Sequence, residues 1–216
     1  MMVIAKAPVI GRVKTRLCPP LSLEQACDVA WACLLDTLDT AASVPAARHV
    51  LVLDGEPGPW IPDIFEVTPQ RGNGLAERLA AAFCDVDDAG IVIAMDTPQV
   101  AAEHLSAGLT ALADGADAVL GPADDGGYWA LGLRRGVDVI AVFKDVPMST
   151  SQTGAAQRRQ LDRLGLRTTM LPSHRDIDTM EDLYVVVAGM ADGRLPGLLS
   201  GLSSSTILRA TSGRVV

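Results

Sequence analysis

No apolar run in this 216-residue chain approaches the roughly 20 residues a membrane-spanning helix needs, although hydrophobic residues make up 49% of it. Nothing is expected to cross a bilayer. The four cysteines, Cys18, Cys27, Cys33 and Cys84, have neither CxxC spacing nor a histidine partner pattern. Structural zinc and a disulfide framework are therefore not expected, and a reducing cytoplasm fits. Positive charge is also scarce: 18 Lys and Arg stand against 26 Asp and Glu, a formal net charge of −8. A general nucleic-acid coat is excluded on that ground, because duplex affinity rests on Lys and Arg neutralising phosphates. There is no GxxxxGK[ST] phosphate loop and no internal repeat. The apolar amino terminus is interrupted by Lys6 with no small-residue cleavage site after it, so it reads as a first strand rather than a signal peptide.

What is present is alternation. Strand-like runs (MVIAK, HVLVLD, FEVT, GIVIAMD, ADAVLG, YWALGL, RTTML) are separated by helical ones, the pattern of an α/β fold whose mostly parallel sheet is covered on both faces. At this length a single domain is expected, spanning 1–194, with a weakly ordered tail over 195–216 that is rich in Gly, Ser and Leu. Ser22 and Gln25 form a capping-box pair that starts the first helix. Further helices are expected from Gly74, over Val100 to Ala113, over Thr150 to Leu164 and from about Thr179 to Met190. If exposed, Leu195, Leu198, Leu199 and Leu202 could form a homodimer contact; packing back on the same domain explains them equally well.

In open α/β sheets ligands bind beyond the carboxyl ends of the strands, so chemistry is expected in the loops there. The loop Lys6 to Leu17 carries Gly11 and gathers Lys6, Arg12, Lys14 and Arg16 without an acid among them. Backbone N–H groups and such cations can cradle a diphosphate; a solvated basic loop is the competing reading. In RGNGLAERL, Gly74 opens a helix whose free N–H groups suit an anion or base edge, although a tight turn needs the same glycines. Asp96 ends a buried strand and either ligates a metal or caps a helix. Asp124 and Asp125 precede two glycines, suiting a cation or sugar hydroxyls as well as a hairpin turn. His174, Asp176 and Asp178 alternate along an extended stretch; Asp178 reads as a helix cap and Asp176 as a metal ligand beside Asp96, with His174 undecided.

Taken in order, K-A-P-x-x-G-R-V-K-T-R-L, G-x-x-E-R-L, a strand ending in D-T-P, G-P-A-D-D-G-G-Y, P-M-S-T and D-I-D-T-x-E-D-L resemble the DUF2064-type family of small bacterial GT-A-like proteins. That family is described as glycosyltransferases and is related to the guanylyltransferases of molybdenum-cofactor and deazaflavin-coenzyme (phospholactate) synthesis. The resemblance runs from about Met2 to Met190. It implies a GT-A, Rossmann-like three-layer sandwich, with Gly11, Lys14 and Arg16 around nucleotide phosphates and Asp96 holding Mg²⁺ or Mn²⁺ on the diphosphate. Arg78 and Tyr128 match positions for which contact with the base or the acceptor is expected. Relatives often carry an acid where this chain has Gln99, a poorer ligand for a hard cation. Either Asp176 supplies the second carboxylate or metal affinity is reduced.

Three functions follow from these residues. One is metal-dependent transfer from a nucleotide-diphosphate sugar to a small-molecule acceptor, with Asp124 or Asp125 as base or orienter. The second is nucleotidyl transfer to a small phosphorylated acceptor. The third is nucleotide binding without turnover, which Gln99 favours and the retained aspartates oppose.

Overall fold

The computed structural model describes residues 1–201; the remaining tail, including Leu202, lies outside the described residues. Seven strands form one sheet: β1 (Met2–Lys6), β2 (His49–Asp54), β3 (Phe65–Pro69), β4 (Gly90–Ala94), β5 (Ala118–Pro122), β6 (Tyr128–Leu133) and β7 (Thr168–Met170). Their spatial order is β3-β2-β1-β4-β6-β5-β7. Every pairing is parallel except those of β6, which runs antiparallel to both β4 and β5. The order turns round between β1 and β4, which pair directly. A crevice opens at the carboxyl ends of strands at such a reversal.

The central strands are apolar on both faces because both are covered. In β1, Val3 and Ala5 belong to a core with Leu34 and Leu38 of α1 (Leu23–Ser43) and Leu105 and Leu112 of α3 (Ala102–Ala113). Met2 faces the other way, into a core with Leu79 and Phe83 of α2 (Leu75–Val86), Val142 and Phe143 of α4 (Val139–Phe143) and Leu161 of α5 (Thr153–Arg163). Fully burying a leucine of this kind contributes about 2 kcal/mol. The result is a three-layer α/β sandwich.

Helix starts follow the capping chemistry with one exchange. Ser22 and Gln25 make the expected reciprocal box at α1. At α6 (Met180–Gly189) the cap is Thr179, boxed with Asp182, and not Asp178. The hydroxyl of Thr179 reaches the N3 amide, which leaves Asp178 free to pair elsewhere. Helix α5 starts at Thr153 rather than Thr150, because Thr153 Oγ1 accepts the Thr150 N–H and closes a turn first.

A third core joins α1, α6 and the 3-10 turn Thr15–Leu17. It includes Leu195, which is fully buried, with Leu198 and Leu199 packed against it. Residues 194–201 are helical and start at Asp36, whose carboxylate accepts the N–H groups of Arg194 and Leu195 at 2.9 and 3.0 Å. This first part of the tail is therefore packed on the domain, with Leu195 buried in it and Leu198 and Leu199 partly buried against it. No helix among the described residues is long and apolar enough to cross a membrane.

Candidate functional site

The loop after β1 and the loop after β4 face each other across the switch point. Gly11 turns the first loop with φ +76, a conformation L side chains rarely adopt. Three residues on, Lys14 is itself left-handed at φ 48 and enters the 3-10 turn. That entry drives its side chain inward: Nζ lies 2.6 Å from Asp96 Oδ1, with the Lys14 side chain only 8% exposed. The same ammonium donates to the carbonyl of Ile177. Burial works against its charge, but Asp96 outweighs burial and holds its pKa above the ordinary lysine value. Asp96 lies just past β4, its strand ending at Ala94.

A second stitch answers the question raised by Gln99. Its Nε2 donates to the carbonyl of Arg175, and the amide of Ile177 donates to the carbonyl of Asp96 at 3.1 Å. Gln99 thus holds the 175–177 strap against the β4 loop. A carboxylate there could not donate that bond; the Gln99 Oε1 is buried without a hydrogen-bond partner among the described residues.

Two cavities share this junction. The first, of about 300 Å³, is lined by Lys6, Lys14, Thr15, Arg16, Asp96 and Asp178 among others. The second, of about 460 Å³, is lined by Arg16, Asp96, Thr97, Asp125, Tyr128, Trp129, Asp176, Asp178 and the 149–153 segment. Arg16 Nη1 donates to Asp178 Oδ2 at 2.6 Å across the mouth they have in common. Asp96 and Asp176 are thereby brought to one cavity. Burial, and then the charge of Asp125, push the Asp176 carboxyl up to about 6. Burial also pushes the Tyr128 phenol up; its O–H contacts Met148 Sδ at 3.8 Å.

The hairpin between β5 and β6 separates its two aspartates. Asp125 lines the larger cavity and accepts the Gly127 N–H at 2.7 Å. Asp124 is turned away, accepting the Ser173 hydroxyl at 2.7 Å, with Arg175 Nε at 3.7 Å. The glycines do more than permit a turn. A Cβ on Gly126 would lie 2.1 Å from the Ser151 carbonyl oxygen, and one on Gly154 would lie 2.4 Å from that of Gly127. Their absence lets the 149–154 segment close against the hairpin and wall the cavity.

Other expected residues fall outside. Gly11, Gly74 and Arg78 line neither cavity. Gly74 caps α2 with open space where a Cβ would be, whereas Gly72 carries the left-handed turn at φ +127. Arg78 Nη1 binds Asp54 Oδ2 and Gln70 Oε1, both at 3.0 Å, and so braces the ends of β2 and β3. His174 pairs with His104, Nε2 to Nδ1 at 2.9 Å, packed edge-on against Trp129. Residue spacing does not bring out that pair, because His104 lies on α3, 70 positions away. Thr97 and Ser149 to Ser151 also supply walls; the D-T-P motif holds the first and the P-M-S-T match at 147–150 points to the second, while no local signal marks Trp129.

Among the described residues no group of three or more His, Cys, Asp or Glu side chains is placed to hold a metal ion. Asp96 and Asp176 line the same cavity and carboxylates are the ligands a hard divalent cation prefers, but one oxygen of Asp96 is already taken by Lys14 at 2.6 Å.

The architecture is that of the nucleotide-diphospho-sugar transferase fold. A protein from Desulfovibrio desulfuricans G20, described as a "putative nucleotide-diphospho-sugar transferase", superposes with a TM-score of 0.86 at 23% identity over 94% of each chain. A cytidylyltransferase from Leptospira borgpetersenii matches with a TM-score of 0.57 at 12% identity, over 95% of this chain and 93% of that one. The 4-diphosphocytidyl-2C-methyl-D-erythritol synthase of Anaerococcus prevotii gives 0.55 at 11%, over 87% and 94%. No curated protein matches the chain. Residues 37–150, more than half of the sequence, match the model of the family described as "Uncharacterized protein conserved in bacteria (DUF2064)", and the chain belongs to that family.

Proposed function

We propose that this chain transfers a sugar from a nucleotide-diphosphate donor to a hydroxyl acceptor, assisted by Mg²⁺ or Mn²⁺. One observation carries the reading: a cation-lined cavity and an acid- and hydroxyl-lined cavity meet at Arg16, Asp96 and Asp178. Lys6 and Arg16, both exposed, suit a diphosphate, with Lys14 behind them held on Asp96, and the second cavity suits the group that attacks. A divalent ion, when bound by Asp96 and Asp176, neutralises charge on the leaving phosphate oxygens. Asp125 takes the proton of the acceptor hydroxyl as its oxygen bonds to the sugar carbon; the electron pair of the broken bond leaves on the diphosphate.

A second reading is nucleotidyl transfer, favoured by the cytidylyltransferase that shares the fold. There the cationic loop grips a triphosphate and pyrophosphate leaves. The test is a thermal-shift screen of the purified chain against nucleoside triphosphates and nucleotide-diphosphate sugars, with and without Mn²⁺, since a ligand of the native state raises the melting temperature. A metal-dependent shift with a nucleotide sugar, followed by nucleoside diphosphate release on turnover, is expected. A shift confined to one triphosphate, with pyrophosphate release, overturns glycosyl transfer.

A further inference from the structure

The larger cavity also limits what can be the acceptor. It has room for a monosaccharide-sized molecule at about 460 Å³, with Tyr128 and Trp129 in its wall and the hydroxyl residues Thr97, Ser149 and Ser151 around it. Its single cation, Arg16, stands at the mouth and is already paired with Asp178. Of the carboxylates not given to the divalent ion, Asp125 has no ion-pair partner among the described residues.

Carboxylates accept hydrogen bonds from hydroxyls and repel anions. Hydroxyl side chains bond to either partner of a polyol.

We propose that this cavity takes an uncharged, hydroxyl-rich acceptor, a glycoside or polyol, and rejects a phosphorylated one. The inference rests on the glycosyl-transfer reading above and narrows it. It also bears on the choice between the two chemistries, because nucleotidyl transfer to a phosphorylated acceptor would place a phosphate in this space.

The experiment is saturation-transfer NMR on the full chain, without metal, with equimolar methyl α-D-glucopyranoside, methyl α-D-mannopyranoside, myo-inositol, glucose 6-phosphate and mannose 6-phosphate. At least one uncharged probe is expected to bind about tenfold better than its phosphate, and Asp125→Lys is expected to invert that order. Should the lysine variant fail to fold, Asp125→Asn keeps an acceptor for the Gly127 N–H and is expected to weaken the uncharged probe about threefold. Equal or better binding of the phosphates to the unaltered chain, no binding of any uncharged probe, or a preference insensitive to both substitutions overturns the proposal. Nucleotide-induced thermal shifts on the same sample keep the two ideas apart. A retained shift alongside a phosphate preference rejects the acceptor class alone, whereas no shift with any nucleotide rejects the reading it rests on.

Discussion

The two ends of the sheet treat aspartate in opposite ways. At the amino end of β5, Asp117 is nearly buried yet fully served: Arg134 bonds Oδ1 through two nitrogens at 2.7 and 3.0 Å, and the Arg167 N–H reaches Oδ2 at 3.0 Å. The Arg167 backbone bond and then the Arg134 side chain hold this carboxyl below the usual range. At the carboxyl end, Asp176 is half-buried beside Asp125 with no cation paired to it, and its pKa is pushed up to about 6. A carboxylate satisfied by its own chain stabilises a fold. One left unsatisfied is available to a ligand, and the fold tolerates its cost elsewhere.

The comparison can be broken first at Asp96. Asp96→Ala should remove the metal-dependent part of nucleotide binding, a loss of about 100-fold read by calorimetric titration, and should also lower the melting temperature, because it leaves the Lys14 ammonium, only 8% exposed, without its counter-ion. Normal metal-dependent binding by the variant would remove Asp96 from the site. Next, Asp125→Ala should lower turnover by about 100-fold, as expected for loss of a general base. Asp124→Asn, altered at a side chain turned to Ser173, should stay within about threefold. Equal losses at the neighbouring aspartates would contradict the division made by the hairpin.

At the opposite end, Asp117→Ala should cost about 2 kcal/mol, because it strands two guanidinium groups and a backbone N–H; nucleotide binding should be unchanged. Urea unfolding measures the first and calorimetry the second. The smallest effect is the mirror image. A carboxyl raised in the folded state above its unfolded value of 3.8 destabilises the fold when ionised. The penalty is full above about pH 6 and fades as pH falls toward 4. Asp176→Asn should therefore stabilise the chain at pH 7.5, by about 1 kcal/mol after allowing for solvent screening, and the gain should vanish near pH 4. A gain independent of pH would place its origin in packing rather than charge.

Much of the fold was legible because burial repeats along the chain. Strands β1, β2 and β4 read as continuous apolar runs since helices cover both faces, and the Ser22 and Gln25 box marked a helix start by local chemistry alone. Of the candidate site, the Lys6 to Leu17 loop, Asp96, Asp125 and Asp176 were found because cations and acids stood out at strand ends. Adjacent residues proved harder to rank. Asp124 and Asp125 have the same local sequence, and only the distant Ser173 and Arg175 draw one of them out of the cavity. The partner of Gln99, the Arg175 carbonyl, lies 76 positions away and no local pattern points to it. Asp178 looked like a cap until Thr179 took that place and Arg16 took Asp178.

By itself, the sequence determined an α/β sandwich with chemistry at the carboxyl ends of its strands, because side-chain periodicity and loop composition are local properties of the chain. The tertiary structure decided which carboxylates remain unpaired. That depends on long-range partners such as Lys14 for Asp96 and Arg16 for Asp178, brought together across more than 80 residues by the order of strands in the sheet.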